Sequence, residues 1–203
     1  MTDPTDAAPP PPPARRAGGP ARLLRDVLVV VLVALLVSWG VRTWLVRSFY
    51  IPSASMENTL MIDDRVVVNQ LAPGLMDLHR GDVVVFEDPG GWLDTGPGGD
   101  LIKRVVGLPG DTVACCDAEG RLLVDGEPLD EPYVLVPPGD PASLQAFDVT
   151  VPEGALWVMG DNREDSADSR SHQSGPYEGF VPERLVIGRA VAVVWPVDRW
   201  ARL

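Results

Sequence analysis

Lysine is almost absent from this chain. Sixteen arginines stand against a single lysine, Lys103, in the run DLIKRVV at 100–106. Arginine stays protonated in any protein, whereas a lysine ammonium stripped of water gives up its proton. A lone lysine between apolar neighbours is therefore a candidate neutral amine, and a neutral amine is a base. The plain alternative is a compositional bias towards arginine, with Lys103 left on a solvated strand face. Cysteine is equally scarce: Cys115 and Cys116 are adjacent and have no other partners. They supply neither a CxxC redox motif nor the second pair that a tetrahedral metal site needs. A bond between neighbouring residues strains the intervening peptide, so two small buried side chains are expected. The two histidines, His79 and His172, lie far apart without ligand spacing, and read as solvated loop residues. No metal, no cofactor and no histidine-based triad are expected.

Positive charge is short as well. The chain of 203 residues carries a net charge of −12. Residues 1–47 hold six arginines and three aspartates, a balance of +3, and the remainder holds eleven Lys/Arg and twenty-six Asp/Glu, a balance of −15. Phosphate binding is largely a cation effect, so nucleic acid is excluded as an expected partner. A charge-driven grip on anionic lipid is excluded for the same reason. Contact with a bilayer must be hydrophobic.

Hydrophobic length is what the chain does have. Residues 1–22, with five consecutive prolines at 9–13, cannot bury a core and are expected to be disordered. Residues 23–47 follow as a candidate membrane anchor. Within them 27–41 are free of charge, and counted through Val46 the apolar run has twenty residues. As a helix it covers roughly 30 Å, the thickness of a hydrocarbon core. Arg42, Trp39 and Trp44 suit the interface. A cleaved secretory signal competes with this reading, but no small-x-small site follows the apolar core directly. Arg15, Arg16, Arg22 and Arg25 precede the span and predict a cytoplasmic N-terminus with an exported body, although Arg42 and Arg47 on the far side weaken the bias.

From residue 48 to 203 the pattern is β. Short β-branched runs at 65–69, 82–86, 101–106, 112–115, 121–124, 155–159 and 186–195 are separated by turns rich in Gly, Pro and Asp. The expected fold is mainly β, an antiparallel sheet or barrel-like domain after one membrane helix. The loop 87–100 places Trp92 among glycines, either dipping into a bilayer or packing onto the body.

Two segments give Lys103 a task. In PSASM at 52–56, Ser55 is a candidate nucleophile, since a serine hydroxyl becomes reactive when a base takes its proton and lysine is one such base. Ser53, two residues earlier, points to the same side in an extended segment. It is placed to donate to an oxyanion together with the Ser55 N–H. The second segment is GDNREDSADSR at 160–170. Alone, Ser-x-Ser is an ordinary turn or cap, and clustered charges are ordinary surface bridges.

Taken in order, FYIPSASMENTL at 49–60, GDVVVF at 81–86, LIKRVVGLPGD at 101–111 and GDNREDSADSR at 160–170 resemble the motifs of the bacterial type I signal peptidases. These are membrane-anchored Ser–Lys peptidases of family S26 that remove signal peptides from exported proteins. The resemblance covers roughly residues 23–200. It implies Ser55 as nucleophile, Lys103 as general base, Ser53 as oxyanion donor and Ser166 as the serine that orients the lysine amine. It also implies that Asp168 with Arg170, and Asp161 with Arg104, brace the site. Phe49, Ile51, Pro52, Met56, Leu60, Asp100 and Ile102 match positions lining pockets for the small residues of an Ala-x-Ala cleavage site. The signal peptide is expected to lie as a strand between 49–55 and 100–103. The implied partners are signal peptides and the lipid bilayer of the plasma membrane; the oligomeric state is open, with a monomer favoured. Two departures stand out: Asn58 where many members have Pro, and Asp165 where an Asn is common, which adds negative charge beside Ser166. Rival readings are a self-cleaving repressor-type Ser–Lys peptidase, a tethered non-enzymatic β domain that binds exported chains, and an inactive family member. The acidic body and the apolar span argue against the first.

Overall fold

A computed structural model of the chain describes residues 20–93 and 99–203, with the backbone alone for 41–44. The proline run lies outside the described residues, as do most of the 94–99 turn and the side chains of Arg42 and Trp44. Two compact units are present, 1–40 and 41–203. The described part of the first belongs to helix α1 (Pro20–Trp44). It begins three residues before the expected anchor, with Pro20 at the first helical position, where the missing N–H costs nothing. Residues Pro20–Gly40 have a mean hydropathy of 2.2, and Leu28, Val30 and Leu35 are among the many exposed apolar side chains. The helix is long and apolar enough to cross a membrane.

Among the described residues the second unit carries twelve strands. In chain order they are β1 (Val46–Tyr50), β2 (Arg65–Asn69), β3 (Val83–Glu87), β4 (Asp100–Gly107), β5 (Thr112–Cys115), β6 (Leu122–Val124), β7 (Glu127–Pro128), β8 (Phe147–Thr150), β9 (Ala155–Met159), β10 (Val181–Pro182), β11 (Val186–Trp195) and β12 (Ala201–Arg202). An eight-stranded sheet runs β1-β2-β11-β3-β4-β9-β10, with β12 on β11; a four-stranded sheet runs β7-β6-β5-β8. Every named pairing is antiparallel. The expected mainly antiparallel β fold after one apolar helix is the fold observed.

The anchor was expected to continue through residue 47, but helix ends at Trp44 and β1 begins at Val46. Val46 and Arg47 pair with Asn69 and Val68. Valine is at home in a strand, and the β2 ladder satisfies backbone groups that a helix end would leave open.

The large sheet is covered on both faces, which is why β3 reads as an unbroken VVVF rather than an alternation. Val83 and Val85 enter a cluster with Ile51, Met56, Leu60 and Val66. Val84 and Phe86 enter another with Trp92, Leu101, Val105 and Val158. A third cluster packs Val113, Leu122 and Phe147 of the small sheet against Trp157 and Phe180. Cys115 and Cys116 border it, and they are joined in a disulfide, not held as two separate side chains. The expectation of free cysteines is thus corrected. The peptide between them is cis, with the Cα atoms 3.0 Å apart.

Candidate active site

Ser55 sits in a single 3-10 turn, Ala54–Met56, that follows β1. The turn is held from below by Met56, which is fully buried, and by Ile51, which hydrogen-bonds through its N–H to the Asp64 carbonyl. It is held from the side by Asn162, whose backbone N–H donates to the Ser55 carbonyl at 3.2 Å and whose side-chain amide donates to the Ala54 carbonyl at 3.2 Å. Ser53 precedes the turn in an extended conformation, φ −130° and ψ 158°. Its hydroxyl lies 3.3 Å from that of Ser55.

Lys103 comes from β4, opposite Val84 of β3. It shares the strand face of Leu101 and Val105 by the period of two. Its side chain is 4% exposed, and Nζ donates to Ser55 Oγ at 2.8 Å and to the Ile102 carbonyl at 3.0 Å. Burial drives its pKa down from 10.5 to about 8, against the opposing pull of Asp168, Asp161 and Asp165. At pH 7 about a tenth of the amine is then neutral, against a negligible fraction for a free lysine.

The third element is the 160–170 loop. Gly160 directly follows β9, at the point where the chain peels away from β4. Its N–H turns to Asp168 Oδ2 at 3.0 Å. A Cβ at Gly160 would lie 2.2 Å from Ser166 Oγ and 2.4 Å from the Ser55 carbonyl oxygen, so only glycine allows the loop to close on the nucleophile turn. Asp168 is fully buried. It accepts from Ser166 Oγ at 2.7 Å and from Arg170 Nε and Nη2 at 2.9 and 2.8 Å. Burial pushes its carboxyl pKa up, but the Arg170 guanidinium and the other donors outweigh this and hold it low. Asp161 takes a bidentate pair from Arg104 at 2.8 and 2.6 Å. Arg104 also donates to the Gly81 carbonyl at 2.6 Å and stacks on Tyr133 at 3.8 Å.

A cleft of about 270 Å³ opens in front of these groups, lined by Pro52, Ser53, Ser55, Asp100, Ile102 and Lys103 together with Trp92, Leu93, Leu101, Asp165 and Ala167. One edge of it is a bare strand edge. β3 pairs β4 from Asp100 onwards, but β9 joins the other side only at Arg104. Residues 100–103 thus have one ladder edge that β9 leaves open. A serine hydroxyl on a desolvated amine, a second hydroxyl beside it and an open strand edge can together perform acyl transfer on an extended peptide.

Known proteins share much of this sequence. The family described as "Signal peptidase, peptidase S26" matches residues 24–195. The chain belongs to this signal peptidase family. It is 39% identical over 166 residues to "Probable signal peptidase I-2" of Synechocystis, covering 82% of this chain and 71% of that protein. It is 35% identical over 224 residues to "Signal peptidase I" of Mycobacterium tuberculosis, covering 87% of this chain and 74% of that one. A crystal structure of a signal peptidase I from Enterococcus faecalis shares 32% identity, covering 55% of this chain and 95% of that one, with a TM-score of 0.43.

The site residues implied by the family resemblance fall into three groups. Ser55, Lys103, Ser53, Pro52, Asp100 and Ile102 meet in the cleft. Ser166 stands behind it, its hydroxyl hydrogen-bonded to Asp168, while the hydrogen bonds of Lys103 go to Ser55 and Ile102. Ile51, Met56 and Leu60 are buried to 1% exposure or less, and Phe49 packs beside them; they form the floor under the nucleophile turn and do not line the cleft. Asn58 takes φ 86°, a left-handed turn closed to proline, and donates to the Tyr133 carbonyl at 2.9 Å.

Trp92 and Leu93 were not foreseen as cleft residues. Asp88 turns their loop by accepting from the N–H groups of Gly90, Trp92 and Leu93. The Trp92 ring packs onto the body, edge-on to Phe86 at 5.7 Å and stacked on His172 at 4.5 Å. His172 is accordingly no free loop residue, and its Nδ1 lies 2.7 Å from the Asp168 carbonyl. The available sequence signal was Asp88-Pro-Gly-Gly91, an aspartate whose carboxylate can accept from the backbone N–H two residues on.

Proposed function

We propose that this signal peptidase is a membrane-anchored serine endopeptidase in which Ser55 is the nucleophile and Lys103 the general base, cleaving exported preproteins after Ala-x-Ala-type sites. The reading rests on one observation: the 2.8 Å contact between Ser55 Oγ and a buried lysine amine whose pKa lies at about 8. The cleavage region adds as a strand along the open edge of β4 at 100–103. Leu93, Leu101, Ile102 and Ala167 leave room for small side chains on that edge.

Neutral Lys103 takes the Ser55 proton as Oγ attacks the scissile carbonyl. The Ser53 hydroxyl and the Ser55 N–H stabilise the oxyanion. The lysine ammonium then protonates the leaving amine, and the lysine, neutral again, draws a proton from the water that hydrolyses the acyl-enzyme. Ser166, whose hydroxyl donates to Asp168 at 2.7 Å, braces the 160–170 loop. No step calls for a cofactor. Helix α1 anchors the protein in the plasma membrane, with the arginines at 15, 16, 22 and 25 on the cytoplasmic side and the β domain outside.

The test is cleavage of a preprotein with an Ala-x-Ala site in liposomes. Wild type is expected to cut after the last Ala. Ser55→Ala and Lys103→Arg are both expected to be folded and inactive, the second despite keeping its charge. Turnover by Lys103→Arg would remove lysine from the mechanism.

A further inference from the structure

The 160–170 loop has two sides, and the peptidase reading uses only one. Asp165 and Ala167 face the cleft of Ser55 and Lys103. Glu164 and Ser166, alternating with them, face a second cavity of about 390 Å³ on the other side of the same wall. Its opposite bank is the 136–145 segment, including Asp140, Leu144 and Gln145. The two spaces share a thin partition. A Cβ on Gly160 would touch Ser166 Oγ and the Ser55 carbonyl oxygen at once, so the second cavity begins one side chain away from the nucleophile turn.

We propose that this second cavity receives the residues downstream of the scissile bond, as an extended peptide segment, and selects among them by charge. The inference rests on the peptidase reading. A strand lying along residues 100–103 cannot continue beside β4, because β9 occupies that edge from Arg104. The chain beyond the cut must leave the sheet near Ser55, and the second cavity is adjacent. Its lining suits a peptide. Arg170 is 6% exposed and spends Nε and Nη2 on Asp168 and the Arg163 carbonyl, while Nη1 has no partner among the described residues. That leaves two N–H donors for a peptide carbonyl. The Gln145 amide borders the same space, and exposed Leu144 offers an apolar contact. The guanidinium of Arg163 is neutralised by Glu131 at 2.6 Å and that of Arg170 by Asp168 at 2.8 Å. Asp140 and Glu164 have no ion-pair partner among the described residues, so the field on the occupant is negative. Lysine or arginine downstream of the cut is favoured and aspartate or glutamate is disfavoured.

The experiment uses the full chain in detergent with two kinds of peptide. A short substrate ends one residue after the cut; a long one continues for five, with either Lys or Glu at the second to fourth downstream positions. Wild type is expected to cut the Lys peptide with a kcat/KM about tenfold above the Glu peptide, the effect of a few exposed charge contacts. Asp140→Lys combined with Glu164→Lys is expected to invert that order and leave the short substrate unchanged. Leu144→Trp, which fills the cavity, is expected to slow long substrates only. Equal rates for Lys and Glu peptides, or a preference that survives both charge reversals, would overturn the inference while the peptidase reading stands. Failure of wild type to cut even the short substrate would overturn both.

Discussion

Lys103 carries most of the chemistry in one side chain, and its cost follows from the same burial. Its folded pKa of about 8 lies below the ordinary 10.5, so the folded state disfavours the ammonium. Below pH 8 both states hold the proton and the full penalty is present. Between 8 and 10.5 the unfolded chain binds a proton that the folded one has lost, and stability rises with pH. The gap corresponds to about 3 kcal/mol. Lys103→Met is therefore expected to be inactive yet more stable than wild type at pH 6 by up to about 3 kcal/mol in denaturant titrations. That advantage should shrink as pH rises from 8 to 10.5. Activity should climb with pH and level off above 8, as the amine becomes neutral. Asp165 opposes the neutral form, so Asp165→Asn is expected to move the acid limb of the kcat/KM profile to lower pH. A limb that stays in place would remove Asp165 from the field felt by the lysine.

At the scale of elements, the 160–170 loop shows how much of the site rests on close approach. Gly160→Ala would drive a Cβ into Ser166 Oγ and the Ser55 carbonyl. It is expected to lower kcat by more than tenfold through displacement of the nucleophile turn, with a smaller change in unfolding midpoint, since β9 ends before it. Activity equal to wild type would show that the loop need not touch Ser55. The same elements mark what was legible in the sequence. The seven β-branched runs all became strands within a residue or so, because each buries at least one valine in a core cluster. β7, β10 and β12, of two residues each, have no periodicity to read. β8 is FDVT, whose two exposed residues leave little apolar signal. The start of β1 was hidden because Val46 continues the apolar run of the helix, and only pairing with β2 decides its state. Ser55, Lys103 and the Arg104–Asp161 and Asp168–Arg170 pairs were readable as motif positions. The floor role of Ile51, Met56 and Leu60 was not, because an apolar residue beside a pocket and one beneath it look alike in sequence. Trp92 was not either, because its partner His172 is eighty residues away.

At the scale of the whole molecule, two kinds of hydrophobic surface are kept apart. Many valines of the β domain are buried in its three clusters, whereas the described valines of α1 are exposed. A helix of 25 residues with that surface is long and apolar enough to cross a bilayer. The protein is expected to stay with the membrane fraction after an alkaline carbonate wash and to be released by detergent. Release by carbonate alone would show that α1 does not span the bilayer.

The open edge of β4 has a further consequence. β9 ends at Met159 and leaves residues 100–103 without a partner on that side, so the large sheet is one strand short at that place. Trp92, Leu93, Leu101 and Ile102 wall the cleft at that place. Under the proposed binding mode, a peptide paired with that edge must leave the sheet where β9 begins to pair. The place of the cut would then be counted in residues from the end of a strand.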